Sequence, residues 1–359
     1  MNLSQYLNKA IDRLIKDIIK VSILKPQSIK FLLTFSNAHK KAQKIRKDYE
    51  KQGQHIPPFL IASITSKCNL FCSGCYSRAN GSCSENKNIT QLKAEKWEEI
   101  FNEAKDLGIS FILLAGGEPF MRKDVIEKAT QIPEIIFPVF TNGTMFNDEY
   151  IKIFDKNRNL IPIISIEGDI EKTDCRRGKG VYNIVIDTMK RLKKEGVMFG
   201  VSVTVLNENL NDVLNKEFID NLYKSGCAII FYIEYVPVDA STRELALSEE
   251  QRNFLNEKAE ALRENTDMLL ISFPGDEKQM GGCLASGRGF LHINADGSAE
   301  PCPFSPFSDL SLANSTLKEA INSPFLKKLR SDEFLLAEHT GGCLLFEKEK
   351  EVRTLLNKD

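Results

Sequence analysis

Residues 59–75 of this chain read FLIASITSKCNLFCSGC, an apolar run followed at once by three cysteines. A short apolar run bounded by turn-forming residues predicts a buried β-strand, so the cysteines lie on the loop that follows it. Cys68, Cys72 and Cys75 are separated by three and two residues, so that one loop can wrap a corner of a cubane. A four-iron cubane needs four ligands, and three thiolates leave one iron open. The alternative is a zinc site, which usually takes four protein ligands.

Beyond residue 59, short β-prone runs alternate with helical patterns, which is typical of βαβ units and a parallel sheet. Six strands are predicted, near residues 59–65, 110–115, 135–140, 161–166, 198–205 and 228–235. Helices are predicted between and after them, near residues 91–107, 122–131, 148–157, 181–195, 211–224 and 248–264. This succession predicts an α/β fold, a partial (βα)6 TIM barrel, in which functional residues lie at the carboxyl ends of the strands.

The cysteine loop resembles that of the radical SAM superfamily, whose cluster motif Cys-x3-Cys-x2-Cys follows the first barrel strand. The resemblance implies that the open iron of a 4Fe-4S cluster chelates S-adenosylmethionine, which an injected electron cleaves to methionine and a 5'-deoxyadenosyl radical. Two positions depart from the family pattern. The residue before the third cysteine is often aromatic in the family but is Gly74 here, and a histidine often found before Asp174 is Thr173.

Polar residues follow the next strands in the order that this family shows. The segment Gly116-Gly117-Glu118-Pro119 has two glycines that let a backbone approach a ligand closely, and a carboxylate that can accept from an ammonium group. The resemblance implies contacts between this segment and the amino group of S-adenosylmethionine. The other positions expected to bind this cofactor are Asn142, Ser165, Glu167, Arg177 and Ser202. Taken singly, each is also compatible with a turn, a strand-end cap or a buried hydroxyl.

After residue 270 the alternation stops and Gly, Pro and Cys become frequent. Cys283 and Cys302 flank Gly297, Asp296-Gly297 predicts a hairpin turn, and Cys343 follows later. The spacing resembles the SPASM auxiliary-cluster extension and its shortened Twitch form, which implies an auxiliary iron–sulfur cluster held by these three cysteines. Its fourth position is left open or filled by another side chain, and a structural zinc is the alternative. The candidates for that position are His339, Glu347 and Cys227, while Cys83, Cys175 and Cys227 follow no ligand spacing.

The chain's net charge of -1 conceals a basic N-terminus, where residues 1–55 hold twelve Lys or Arg against four Asp or Glu. Amphipathic patterns in this segment predict helices that cover the barrel, bind a partner or lie on an anionic membrane. No apolar stretch is long enough to span a bilayer, and nine cysteines favour metal chemistry in a reducing compartment. We expect a cytoplasmic protein that does not bind nucleic acid.

These features divide the chain into a basic helical extension (1–57), a radical SAM partial barrel (58–270) and a SPASM/Twitch-like module with a C-terminal helix (271–359). The resemblance implies an oxygen-sensitive enzyme that abstracts hydrogen from a peptide or small-molecule substrate and takes its electrons from a reductant such as ferredoxin or flavodoxin. The competing hypothesis is an iron–sulfur electron carrier or redox sensor. In the sixth strand, either Tyr232 and Glu234 or Ile233 and Tyr235 face the cavity, or the strand packs beneath helices.

Overall fold

The computed structural model describes residues 26–84, 89–237, 239–273, 282–331, 335 and 343–356. Within these ranges one sheet of nine strands organises the molecule. Its strands are β1 (Phe59–Ser63), β2 (Phe111–Ala115), β3 (Phe137–Thr141), β4 (Leu160–Ser165), β5 (Phe199–Val205), β6 (Cys227–Glu234), β7 (Leu269–Phe273), β8 (Phe290–Ile293) and β9 (Ala299–Glu300). Residues 1–25 of the predicted basic helical extension lie outside the described residues.

The strand order is β7-β6-β5-β4-β3-β2-β1-β8-β9. Every neighbouring pair is parallel except β8 and β9, which form an antiparallel hairpin around Asp296 and Gly297. The first six strands therefore neighbour one another in chain order, so the predicted α/β fold with a parallel sheet is confirmed. Parallel alignment also brings the loops after β1 to β6 to the same edge of the sheet.

Helices connect consecutive strands and cover the outer face of the sheet. Trp97 and Phe101, for example, are fully buried with Leu60 and Ala62 of β1 in one apolar core. The helices are α1 (Pro26–Lys51), α2 (Tyr76–Ala79), α3 (Ala94–Asp106), α4 (Lys123–Thr130), α5 (Asp148–Lys156), α6 (Ile170–Arg177), α7 (Val181–Lys194), α8 (Leu210–Val213), α9 (Lys216–Lys224), α10 (Glu249–Asn265), α11 (Leu317–Ile321), α12 (Pro324–Ser331), α13 (Leu344–Glu347) and α14 (Glu349–Leu356). In the described part of the chain, no helix is long and apolar enough to cross a membrane.

Helix α1 packs on the inner face of the sheet. Phe31 and Phe35 lie in a second apolar core with Phe111, Ile163 and inward-facing residues of β6 and β7, and the Phe35 and Phe111 ring centroids are 5.7 Å apart. This contact agrees with the prediction of helices that cover the barrel.

A buried polar chain joins the C-terminal segment to β1. The Ser63 hydroxyl contacts His292 Nε2 at 2.8 Å, and His292 Nδ1 contacts a Glu300 carboxylate oxygen at 2.8 Å. Asn294 donates to the other oxygen of Glu300 at 2.9 Å. Because β8 also hydrogen-bonds to β1, the segment after residue 282 is continuous with the sheet at the strand that precedes the cysteine loop.

Candidate functional site

The cysteine loop leaves β1 at the carboxyl edge of the sheet, where all three thiols are half-buried. Arg78 holds the loop from within, since its guanidinium donates to the carbonyl of Leu70 at 2.7 Å and of Cys68 at 3.3 Å. The same guanidinium lies 3.8 Å from the centroid of the exposed Phe71 ring. These hydrogen bonds to backbone carbonyls fix the path of the loop without involving any thiol. The three thiols therefore remain available as ligands.

Gly117 allows the end of β2 to press against the chain that enters this loop. A Cβ at position 117 would lie 2.0 Å from the carbonyl oxygen of Lys67. The backbone N–H groups of Gly117 and Glu118 donate to the carbonyls of Thr65 and Lys67, both at 2.8 Å. The close backbone approach expected for this segment is therefore made to the cysteine loop itself.

Glu118 ties this segment to the end of β3. Its carboxylate accepts from Phe120 N at 3.1 Å, Thr141 Oγ1 at 2.7 Å and Asn142 N at 2.8 Å. Burial raises the pKa of Glu118 to about 7, although these donors oppose the shift. The Asn142 amide in turn donates to the Asn69 side chain at 2.8 Å, so β3 also supports the cysteine loop.

Glu167 performs a similar role after β4. One carboxylate oxygen accepts from Arg176 and from Arg177, each at 2.7 Å, and the other accepts from the Thr204 N–H at 3.0 Å. Burial acts to lower the pKa of Arg177, but the charges of Glu167, Cys72 and Cys75 raise it above its ordinary value. The guanidinium thus lies within electrostatic reach of two of the thiols.

Helix α6, which the sequence analysis did not predict, carries both arginines and braces the loop. The Arg176 carbonyl accepts from Ser73 N at 2.9 Å. Thr173 is fully buried and its hydroxyl accepts from the Glu167 N–H at 3.1 Å. Asp174 accepts from the N–H groups of Gly180 and Tyr182, so it caps α7. The Asp169 N-cap is the local sequence signal that indicates this helix.

The serines of β4 and β5 meet on the inner face. Ser165 and Ser202 are register partners with their hydroxyl oxygens 3.1 Å apart. The alternate residues of β5, including Val201 and Val203, belong to the outer core. Ser202 therefore faces the inner side of the sheet.

The segment around Cys302 lies beside the residues that follow the cysteine loop. Asn80 donates to the Pro303 carbonyl at 3.1 Å, and the rings of Tyr76 and Phe304 have centroids 4.7 Å apart. Cys83, Cys283 and Cys302 are buried, whereas Cys343 is half-buried at the start of α13. Burial raises the pKa of Tyr76, and the charges of Cys75, Cys302, Glu300 and Cys83 add to the shift. Tyr76 therefore lies between the two sets of cysteines.

The three candidates for a fourth auxiliary ligand have different positions. Cys227 begins β6, at the opposite end of the strand from the cysteine-loop edge, and its thiol donates to the Ile229 carbonyl. Glu347 is exposed at the end of α13, and His339 lies outside the described residues. The spacing of Cys83 does not indicate a ligand, but the fold brings both Cys83 and Cys302 within electrostatic reach of Tyr76.

The donor atoms of this site fit an iron–sulfur cluster. Burial raises the pKa of the Cys68 thiol to about 11, so ionising it calls for a positive partner such as bound metal. Among the described residues, no three Cys, His, Asp or Glu side chains converge as ligands of a single metal ion would. The ligands of a cubane bind separate iron atoms instead. Tyr235 adds a buried hydroxyl, without a partner among the described residues, next to the loop.

Two proteins of Methanosarcina barkeri are similar in sequence to this chain. Fe-coproporphyrin III synthase of Methanosarcina barkeri is 30% identical over 159 residues, which are 44% of this chain and 39% of that protein. The matched part thus spans about two fifths of that relative. AdoMet-dependent heme synthase of the same organism is 25% identical over 82% of this chain and 89% of its own length.

Among solved structures, Streptococcus suis SuiB bound to its precursor peptide SuiA shares the fold. The TM-score is 0.65 at 17% identity, with 85% of this chain and 76% of that chain covered. The family model described as "Radical SAM superfamily" matches residues 62–216, which include the cysteine loop, Glu118, Glu167 and Arg177. This chain therefore carries a radical SAM domain.

Proposed function

We propose that this protein is a radical SAM enzyme that abstracts hydrogen from a peptide or small-molecule substrate, which is then oxidised or rearranged. One observation carries the proposal: the thiols of Cys68, Cys72 and Cys75 share one strand-end loop, and the Arg177 guanidinium of α6 lies within electrostatic reach of Cys72 and Cys75. When bound, the 4Fe-4S cluster and S-adenosylmethionine would supply the electron and the 5'-deoxyadenosyl radical.

The surrounding residues divide into those that shape the site and those that line it. Gly117, Glu118 and Glu167 set the positions of the loop and of Arg177 through the bonds described above, and a Cβ at position 116 would lie 2.4 Å from the Thr65 carbonyl oxygen, so Gly116 also allows this close packing. We assign Asn142, Ser165, Arg177 and Ser202 to contacts with S-adenosylmethionine: Asn142 follows β3, Ser165 ends β4 and meets Ser202 on the inner face, and Arg177 ends α6. Glu118 keeps acceptor capacity, since its carboxylate accepts three hydrogen bonds and has about four lone-pair sites.

The test is anaerobic reconstitution followed by dithionite and S-adenosylmethionine, with 5'-deoxyadenosine measured by chromatography. We expect product from the parent protein and none from a Cys68→Ala, Cys72→Ala, Cys75→Ala variant, which lacks the ligands. Cys175→Ala is the matched control, because Cys175 is an exposed cysteine outside both sets. A parent protein that holds its cluster but forms no 5'-deoxyadenosine would instead support an electron carrier or sensor.

We further propose that Cys283, Cys302 and Cys343 hold an auxiliary cluster in the module at 271–359. The packing of residues 76–84 against the Cys302 segment adds Cys83 to the candidates for its fourth ligand. In the triple-alanine background, residual iron and sulfide would measure this cluster, and their absence would reject it. Adding Cys83→Ala should lower that residual iron, whereas adding the control Cys227→Ala should not; the reverse result would favour Cys227.

The substrate class rests on the relatives, which include heme-pathway synthases and a fold relative with a bound precursor peptide. The same proposal includes a ferredoxin or flavodoxin as the reductant, a cytoplasmic location, and domain boundaries at residues 57 and 270. β7 spans the second of these boundaries. Membrane binding through residues 1–57 is the less favoured role, since α1 packs on the sheet; unchanged liposome partitioning after deletion of residues 1–55 would remove it.

A further inference from the structure

Gly74, the position where the cysteine motif lacks an aromatic residue, lies against the ring of Tyr235. A Cβ at position 74 would be 2.8 Å from the Tyr235 hydroxyl oxygen and 2.9 Å from ring atom Cε2. Gly74 also has a φ of +65°, which side chains rarely adopt. The ring therefore occupies the space that a side chain at position 74 would need.

Tyr235 reaches this place because of strand alternation. It follows the end of β6, and its N–H donates to the Val205 carbonyl at 3.0 Å, which continues the pairing with β5. Phe231, four residues earlier, packs on the inner face against Phe140, whereas Tyr232 is in the outer core. Period-two alternation places Tyr235 on the same face as Phe231, so its side chain points inward.

The Tyr235 hydroxyl is buried, and no described residue bonds to it. The whole residue is 4% exposed, so bulk water does not replace the missing partner. Tyr232, by contrast, donates to the Val213 carbonyl at 2.9 Å. A buried hydroxyl without a partner costs free energy, and proteins usually satisfy such groups. An unpaired donor beside the cysteine loop thus indicates an acceptor that belongs to a ligand.

We propose that Tyr235 supplies, from the end of β6, the aromatic group that the motif lacks at position 74, and that its hydroxyl donates a hydrogen bond to the cofactor held by the cysteine loop. The acceptor is a sulfide of the cluster or an atom of S-adenosylmethionine, both hydrogen-bond acceptors at one place. The inference rests on the proposed function and adds to it a cofactor-contacting residue outside the matched domain, residues 62–216.

The decisive variant is Tyr235→Phe, which keeps the ring and removes only the hydroxyl. Tyr232→Phe is its matched control, because it removes a hydroxyl from the same strand on the opposite face. Reconstituted holoproteins would be compared by iron content, by the midpoint potential of the cluster without S-adenosylmethionine, and by the dissociation constant for that cofactor. Iron content should be unchanged in both variants.

If the acceptor is a sulfide, Tyr235→Phe lowers the midpoint potential, because a donated hydrogen bond stabilises the reduced cluster. If the acceptor is on S-adenosylmethionine, the dissociation constant rises about tenfold, as expected for loss of a bond to a charged ligand. Tyr232→Phe should change neither quantity. A Tyr235→Phe protein that matches the parent in both would overturn the inference, whereas a parent that binds no S-adenosylmethionine would instead count against the proposed function.

A second pair of variants tests the ring. Gly74→Ala and Gly53→Ala both place a side chain at positive φ, but nothing lies within 4 Å of a Cβ at Gly53. Both should lose some stability, while only Gly74→Ala should change the reduced cluster's paramagnetic spectrum with S-adenosylmethionine. Equal spectra from the two variants would show that Tyr235 does not restrict the loop.

Discussion

Glu167 shows how a single carboxylate organises the site. It is 1% exposed and lies between two guanidinium groups, with its second oxygen on a backbone N–H of β5. Two half-buried positive charges therefore depend on one buried negative charge, and Arg177 keeps its position near the thiols only while that charge is present. A residue that contacts no thiol thus controls the charge beside the cluster.

Glu167→Gln should destabilise the protein strongly. The amide removes the charge that compensates Arg176 and Arg177 and places an NH₂ group against an existing donor. Breaking a buried ion pair costs about 3–5 kcal/mol, and urea unfolding of the cluster-free protein would measure the loss. Asp148→Asn is the control, because the Asp148–Arg191 pair has a side-chain exposure of 91% for Asp148 and should contribute little. Similar unfolding midpoints for the two variants would contradict this account.

At the level of elements, the sequence predicted β1 to β6 because each is a short apolar run between polar helices, but it did not predict β7, which follows α10 and pairs with β6. Helix α6 was missed because, of its residues, only Thr173 is buried, so it has no apolar stripe. Alternation alone left open which face of β6 carries Tyr235, since a period of two does not say which side is the interior. The contacts of Tyr76 and Asn80 with Phe304 and Pro303 join residues distant in sequence, and no local pattern encodes them.

Helix α1 should make stability depend on pH through His39. His39 is buried, 3.0 Å from the Ser110 hydroxyl, and burial, with a smaller effect of Arg46, lowers its pKa from 6.5 to about 4. Between pH 6.5 and 4 the unfolded chain therefore binds a proton at His39 and the folded chain does not. The free energy of unfolding is highest above pH 6.5 and decreases as the pH falls towards 4. The loss amounts to about 3 kcal/mol.

The measurement is the free energy of unfolding across this pH range in the parent and in His39→Gln. Other groups titrate in the same interval, so the difference between the two curves isolates His39. The curves should converge as the pH falls from 6.5 to 4. Parallel curves would mean that His39 is protonated equally in both states.

At the scale of the whole molecule, the C-terminal strands β8 and β9 belong to the same sheet as the strands of the radical SAM domain. β8 pairs with β1 over four residues, and Ser63, His292 and Glu300 connect the two by buried polar contacts. A chain that ends at residue 273 would expose one edge of β1 and leave Ser63 without its imidazole partner. Exposed edges with apolar faces favour aggregation.

We therefore expect the chain of residues 1–273 to be poorly soluble and to lack a cooperative unfolding transition. Soluble yield and urea unfolding followed by circular dichroism would test this, with a chain ending at Leu356 as the control that keeps β8 and β9. Parent-like cooperativity in the shorter chain would show that its sheet does not need β8.

The pairing of Ala62 with Ile293 also fixes the position of β8 along β1. Cys68 lies six residues beyond Ala62, and Cys302 lies nine beyond Ile293, so this register sets how far apart the two proposed clusters sit. A slip of two residues would preserve every inward and outward side chain, yet move one cluster by roughly 7 Å along the strand. The rate of electron transfer falls steeply with distance. A few backbone hydrogen bonds between β1 and β8 therefore set the rate at which the two proposed clusters would exchange electrons.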